Sequence, residues 1–173
     1  ILGSSLFGAQ VAASMGLPFS FASHFAPESL EDALRIYRKN FCPSELLDAP
    51  YVMLGLNFFA AKTDRKAEEL FTSLQIQFVN LFRGSPGKLQ PPSENIDEYW
   101  LPSEKIAVER ALKFSAVGSF DKVAAKTKEL VDLTSADELI LTSQIYDHDA
   151  RLFSFEIASE VCKNLIADRS KAA

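Results

Sequence analysis

The sequence predicts an α/β protein in which parallel strands alternate with helices. Two observations carry that expectation. Short apolar runs at 19–22, 51–61 and 138–142 are separated by segments of helical periodicity, which is the pattern of βαβ units with right-handed crossovers. The run 51–61 is apolar almost throughout, as a strand buried on both faces must be.

In chain order, Ile1 and Leu2 end a strand, Gly3-Ser4-Ser5 turns the chain, a small-residue helix covers 6–15 and a second strand covers 19–22. Pro27 and Glu28 open a helix to residue 40, with Leu30, Leu34, Ile36 and Tyr37 near helical spacing, and Pro43 ends it. After the strand 51–61, Thr63 caps a charged helix through residue 82 whose apolar side holds Ala67, Leu70, Phe71, Leu74, Phe78 and Leu81. Residues 83–102 carry Gly84, Pro86, Gly87, Pro91, Pro92 and Pro102, and are expected to form an excursion with little regular structure. A helix follows over 103–113, and Val117-Gly118-Ser119 is expected to turn the chain into another over 120–133. The last strand, 138–142, leads to a final helix over 147–167.

A length of 173 residues suits one domain with a real core. The net charge of -5, without any basic stripe, argues against a nucleic-acid surface. Arg35, Arg38 and Lys39 form the densest basic cluster, and they fall late in a helix where cations suit the dipole. Cys42 and Cys162 make neither a Cys-x-x-Cys pair nor a metal-ligand spacing, so no metal site is expected and a single disulfide is left open. No apolar run reaches the roughly 18 residues of a membrane span, and no basic-then-apolar leader is present, so the expected compartment is the cytoplasm.

The turn Gly3-Ser4-Ser5 is the first place where chemistry could sit. A helix opening there presents backbone N–H groups and the positive end of its dipole beside two hydroxyls, a setting for a phosphate or another small anion. The alternative is that Ser4 or Ser5 serves only as an N-cap. The turn lacks the Gly-Lys-Ser/Thr ending of a nucleotide P-loop and the Gly-x-Gly-x-x-Gly spacing of a dinucleotide fold. No Ser-His-Asp order, nucleophile elbow or His-Glu-x-x-His supports a hydrolase.

Ile-Leu-Gly-Ser-Ser at 1–5, Ala-Ser-His-Phe-Ala-Pro at 22–27, Pro-Tyr-Val-Met-Leu-Gly-Leu-Asn-Phe-Phe-Ala-Ala at 50–61, Val-Gly-Ser-Phe-Asp-Lys-Val at 117–123 and the segment 136–148 together resemble the luciferase-like flavin-dependent monooxygenases. That family includes bacterial luciferase and the alkanesulfonate monooxygenases. The resemblance covers nearly the whole chain in order and implies (β/α)8 TIM-type barrels that use reduced flavin and dioxygen on a small organic substrate. Against the family pattern the first four βα units are absent. The chain therefore reads as a C-terminal half-barrel, 1–173 as a single domain with a loop excursion at 84–102. The resemblance further implies FMN delivered in reduced form by a separate flavin reductase, with a deazaflavin as the nearest variant. A non-catalytic flavin-binding or interaction protein derived from the same fold is the alternative.

In such barrels the working residues lie at the C-terminal ends of strands and on the loops that follow. That rule selects Gly3, Ser4 and Ser5, where the family holds the flavin phosphate, then Ser23, His24, Asn57 and the segment Ser143, Gln144 and Tyr146. Gly3, Ser4, Ser5, Ser23 and Gln144 are assigned to the cofactor, and His24 and Asn57 to the chemistry. Each has a bland reading as well. His24 could simply close the turn before Pro27, Asn57 could make a structural hydrogen bond, and Ser143 or Gln144 could cap the last helix. His148 is expected to be an exposed residue in the first turn of that helix.

Four βα units would leave two open sheet edges and expose the side chains that fill a barrel centre, expected to include Leu54, Leu56, Phe58 and 139–141. Losing their burial forfeits about 1.5–3 kcal/mol each. These 173 residues are therefore expected to pair with a second copy or to complement an N-terminal half, and, with half of the flavin site missing, the chain or its self-assembly is expected to bind FMN weakly at best and to have no monooxygenase turnover. Sedimentation of the isolated chain at micromolar concentration should show a dimer or larger species. A 19.1 kDa monomer with a cooperative melt would refute the half-barrel argument.

Overall fold

The computed structural model of the chain describes residues 1–172. Its elements are β1 (Leu2–Gly3), α1 (Leu6–Ser14), β2 (Phe19–Phe21), α2 (Leu30–Lys39), β3 (Val52–Ala60), α3 (Asp64–Phe82), a single 3-10 turn (Ile96–Glu98), α4 (Pro102–Ala111), β4 (Ser115–Gly118), α5 (Phe120–Thr134), β5 (Glu138–Thr142) and α6 (His148–Ala172). This is the predicted α/β class. The chain forms two compact units, the first made of 1–56, 110–114 and 129–142, the second of 57–109, 115–128 and 143 onward. Residues 52–56 of β3 belong to the first and 57–60 to the second.

In the first unit β1 pairs parallel with β2, Gly3 opposite Phe21, and β2 pairs parallel with β3, Phe19 opposite Val52 and Phe21 opposite Leu54. Strand β5 also pairs with β3. It starts on a two-bond clasp in which Asp137 donates its N–H to Val52 O (2.8 Å) and accepts the N–H of Val52 on Oδ2 (2.7 Å). Tyr37 of α2 is fully buried against Phe19, with ring centroids 5.4 Å apart. Its hydroxyl donates to Leu17 O (2.8 Å) and accepts from Tyr51 N (3.0 Å), so one side chain ties the entries of β2 and β3 to the helix layer. Arg38 reaches the carbonyls of Thr134 (2.5 Å) and Ser135 (3.0 Å), satisfying groups that the end of α5 leaves without helical donors.

The expectation that Leu54, Leu56 and Phe58 would be exposed is not met, because all three are fully buried. Leu54 lies in register with Phe21 and in one row with Val52 and Phe19, and that row meets the helices through Tyr37 and through Gly8 of α1. The half-exposed Ser20 and Met53 point the other way. A strand apolar on both faces has no alternation from which its inward row could be told. On β5, Leu139 and Leu141 are half-buried and Ile140 is 42% exposed.

In the second unit the end of β3 pairs parallel with β4, from Asn57 opposite Ser115 to Ala60 opposite Gly118. The segment expected to be a turn at 117–119 is thus mostly strand, and only Ser119 leads into α5. Thr63 caps α3, accepting from Lys66 N at 3.2 Å. The excursion after α3 is irregular, as expected, but it is pinned. Thr72 Oγ1 accepts from Ser93 N (2.8 Å), Tyr99 donates to Asn80 Oδ1 (2.8 Å), and Arg83 grips both oxygens of Glu104 (2.7 Å each). That pairing, with the N–H of Leu101, pulls the Glu104 carboxyl down to about 2.

Both α1 and α3 end on a glycine with positive φ in the same pattern. Leu17 N bonds to Ala12 O (3.0 Å) beyond Gly16 (φ 61°), and Ser85 N bonds to Asn80 O (2.9 Å) beyond Gly84 (φ 71°). A Cβ on Gly16 would also lie 2.5 Å from Cys42 O and 2.6 Å from Ser44 Cβ, whereas one on Gly84 would meet nothing within 4 Å. In urea denaturation Gly16→Ala should therefore cost about 2–4 kcal/mol, adding steric overlap to the backbone penalty, and Gly84→Ala about 1–2 kcal/mol. Equal losses would show that the overlap at Gly16 relaxes freely.

Candidate functional site

In the first unit the C-terminal ends of β1 and β2 lie side by side, with Ala22 N donating to Gly3 O at 2.9 Å. The turn Gly3-Ser4-Ser5 and the segment 22–24 therefore leave the sheet at the same end. Ser5 is the N-cap of α1, in extended conformation, and its Oγ accepts from Gly8 N at 3.3 Å. That much is the cap reading. The amides of Leu6 and Phe7 stand in the same first turn, where a helix offers no acceptor of its own, and no acidic side chain is present there. Ser4 is half-buried beside them.

The space around this turn fits an anion. A Cβ added to Gly3 would meet only Gly8 Cα, at 3.9 Å, whereas one added to Gly8 would meet Phe19 Cε2 at 3.7 Å and both Gly3 Cα and Ser5 Oγ at 3.9 Å. Gly8 thus packs on Phe19, and the missing side chain at Gly3 keeps the turn uncrowded, so that a phosphate could approach its amides from outside. Such a group would be held by Leu6 N, Phe7 N and the Ser4 hydroxyl, with the helix dipole favouring its charge.

Ser23 is fully buried, and its hydroxyl donates to Gly55 O of β3, so its proton is committed within the protein. His24 is half-buried, and its ring meets Phe25 edge to face at 5.0 Å. Burial holds its pKa below the ordinary 6.5, since a charged imidazole loses solvation there. The sequence reading missed Gly55, against which this ring lies: a Cβ at that position would overlap His24 Nδ1 and sit 3.1 Å from Cε1. The available signal was a lone glycine inside an otherwise bulky buried strand, which marks a close approach of another group.

The remaining predicted residues are in the second unit. Asn57 is 1% exposed, and its Nδ2 donates to Ser115 Oγ at 3.3 Å, a partner for the structural reading. Ser143 Oγ donates to Phe58 O (2.8 Å) and lies 3.1 Å from Ser154 Oγ, which in turn accepts from Ala60 N (3.0 Å). Gln144 and Tyr146 are exposed, as is His148, whose Nδ1 lies 2.8 Å from Arg151 Nη2. Among the described residues no cluster of three or more side chains suits a metal ion, and no helix is long and apolar enough to cross a membrane.

No protein-family model matches the sequence. The chain is, however, 51% identical over 166 residues to a protein of Escherichia coli (strain K12) named luciferase-like monooxygenase, a match covering 96% of this chain and 50% of that one. The chain belongs to the luciferase-like family. It is also 44% identical over 164 residues to the uncharacterized protein YvbT of Bacillus subtilis (strain 168), covering 95% and 49% of the two. The solved structure of apo-MsnO8 superimposes with a TM-score of 0.83 at 28% identity, over 94% of this chain and 49% of that one. The coenzyme F420 dependent tetrahydromethanopterin reductase of Methanopyrus kandleri shares the fold, with a TM-score of 0.57 at 17% identity over 90% and 47%. The chain spans about half the length of the curated luciferase-like relatives it matches, and its alternating parallel strands and helices are the content of half a TIM-type barrel.

The lowered pKa of His24 has a measurable sign. Unfolded chain takes up the proton first, so the stability contributed by the uncharged ring is complete above about pH 6.5 and is lost as pH falls through the lower native value. An imidazole NMR titration should place His24 below 6.5, and His24→Gln should flatten the pH dependence of stability in that window. A native midpoint at or above 6.5 would contradict the burial argument.

Proposed function

We propose that residues 1–173 are the C-terminal half-barrel domain of a flavin-dependent monooxygenase that oxidises a small organic substrate with dioxygen. The observation that carries the proposal is the opening of α1 at the end of β1, where the first helical turn, without any acidic side chain, follows the uncrowded Gly3 and the half-buried Ser4. What supports the reaction class is the similarity to the E. coli protein named luciferase-like monooxygenase. Reduced FMN, when bound, supplies the electrons that activate oxygen, and the protein supplies binding, orientation and exclusion of water. The Leu6 and Phe7 amides and the Ser4 hydroxyl take the phosphate, while His24, at the neighbouring strand end, offers a hydrogen-bonding group. A deazaflavin is the variant that the Methanopyrus kandleri reductase brings to mind. In this reading a separate reductase delivers the reduced cofactor, and the protein works in the cytoplasm as a homo-oligomer.

Ser5→Asp in the full-length protein separates the cap from the ligand, because aspartate caps a helix as well as serine but sets a negative charge where the phosphate would lie. FMN affinity should fall about tenfold or more, riboflavin affinity should not change, and stability should stay within about 0.5 kcal/mol. Unchanged FMN affinity, or absence of FMN binding by the wild type, would refute the assignment.

A further inference from the structure

We infer that Gly55 is a positioning residue: the bare backbone it leaves in β3 seats the His24 imidazole at the strand end next to the Gly3-Ser4-Ser5 turn, where the ring hydrogen-bonds the ligand held there. The inference rests on the phosphate reading of that turn. It goes further by naming what holds the second recognition group and which part of the ligand that group reads.

Three features of the first unit converge on the seat. A Cβ at position 55 would overlap Nδ1 of His24 and crowd Cε1 at 3.1 Å, so the ring occupies the volume that any other residue would fill. The residue before His24 is latched to the same peptide, through the bond from Ser23 Oγ to Gly55 O. The backbone on either side is closed by Ser23 N to Phe21 O (3.0 Å), Phe25 N to Ala22 O (3.4 Å) and Ala26 N to Ala22 O (3.3 Å). With the main chain of His24 held in this way and Phe25 against the ring, the side chain keeps its place only while position 55 lacks a Cβ.

The seat also decides what the ring can recognise. Its Nδ1–Cε1 edge lies on β3, which turns the Nε2 side away from the strand. Held uncharged by burial, the imidazole can donate from one nitrogen and accept at the other. With Nδ1 against β3, only the Nε2 side can meet a ligand, and an uncharged ring offers there a single neutral hydrogen-bonding group, which suits the polar edge of a flavin ring rather than a second anion. Ser4 and the α1 amides read the phosphate, and His24 reads the ring.

The test compares Gly55→Ala, His24→Ala and the double variant in the full-length protein, by His24 NMR titration and by affinity for FMN and for riboflavin. Gly55→Ala should move the His24 midpoint up toward 6.5 and weaken FMN and riboflavin by the same factor, about fivefold or more, in contrast to a phosphate-side change that weakens FMN alone. In the His24→Ala background, adding Gly55→Ala should weaken either ligand less than twofold, because the partner of the overlap is gone and only Phe21 O, at 3.3 Å, remains close. An unmoved midpoint, or equal losses in both backgrounds, overturns the seat. Should Gly55→Ala fail to fold, a folded double variant supports the inference and an unfolded one overturns it. A wild type that binds neither FMN nor riboflavin overturns the ligand half together with the flavin reading, while the midpoint still decides the seat.

Discussion

Strand β3 must satisfy every polar group it carries, because seven consecutive residues, 54–60, are buried along it. A buried donor or acceptor left alone costs about 1–3 kcal/mol, which is a sizeable part of a domain's stability. The structure meets this demand with side chains from elsewhere in the sequence. Asn57 finds Ser115, Phe58 O finds Ser143, Ala60 N finds Ser154, and Gly55 O finds Ser23. Each of those bonds also fixes a segment near a strand end. The loops on which chemistry can sit are thus held in place by the polar exceptions in an apolar strand.

Helix α1 shows how composition can set a site without any charged side chain. Its small residues Ala9, Ala12 and Ala13 are fully buried, and Gly8 lies against Phe19 of β2, so the helix axis comes close to the sheet. The first turn then opens beside the end of β1, with the positive end of the dipole uncompensated by any acid. At the other end, the bond from Leu17 N to Ala12 O beyond Gly16 stops the helix and turns the chain into β2. Capping by Ser5 and function at the same turn are compatible, because the cap uses one amide and leaves its neighbours.

The excursion after α3 makes a related point about loops. Its proline-rich backbone cannot form ladder or helix bonds throughout, yet Thr72, Asn80 and Arg83 of the α3 region reach across to Ser93, Tyr99 and Glu104. Trp100 is buried there with its Nε1 donating to Asp97 at 3.0 Å, and Lys105 sits over its ring. The irregular path is held by side-chain bonds from the helix it follows, so the absence of regular structure does not imply the absence of order.

By itself the sequence determined the α/β class, the order of nearly all elements, the cap at Thr63 and a helix opening at Ser4 or Ser5, since these signals act between residues a few positions apart. Spacing in the chain is then spacing in space. Only the tertiary structure decided that 115–118 is a strand, which row at the start of β3 meets α1 and α2, and that His24 rests on Gly55. A strand needs a partner to exist, and a run apolar on both faces hides its own parity. The decisive bonds join residues far apart, 32 positions for Ser23 with Gly55 and 58 for Asn57 with Ser115. No local pattern encodes such a meeting, because it is the packing of helices on the sheet that brings those residues together.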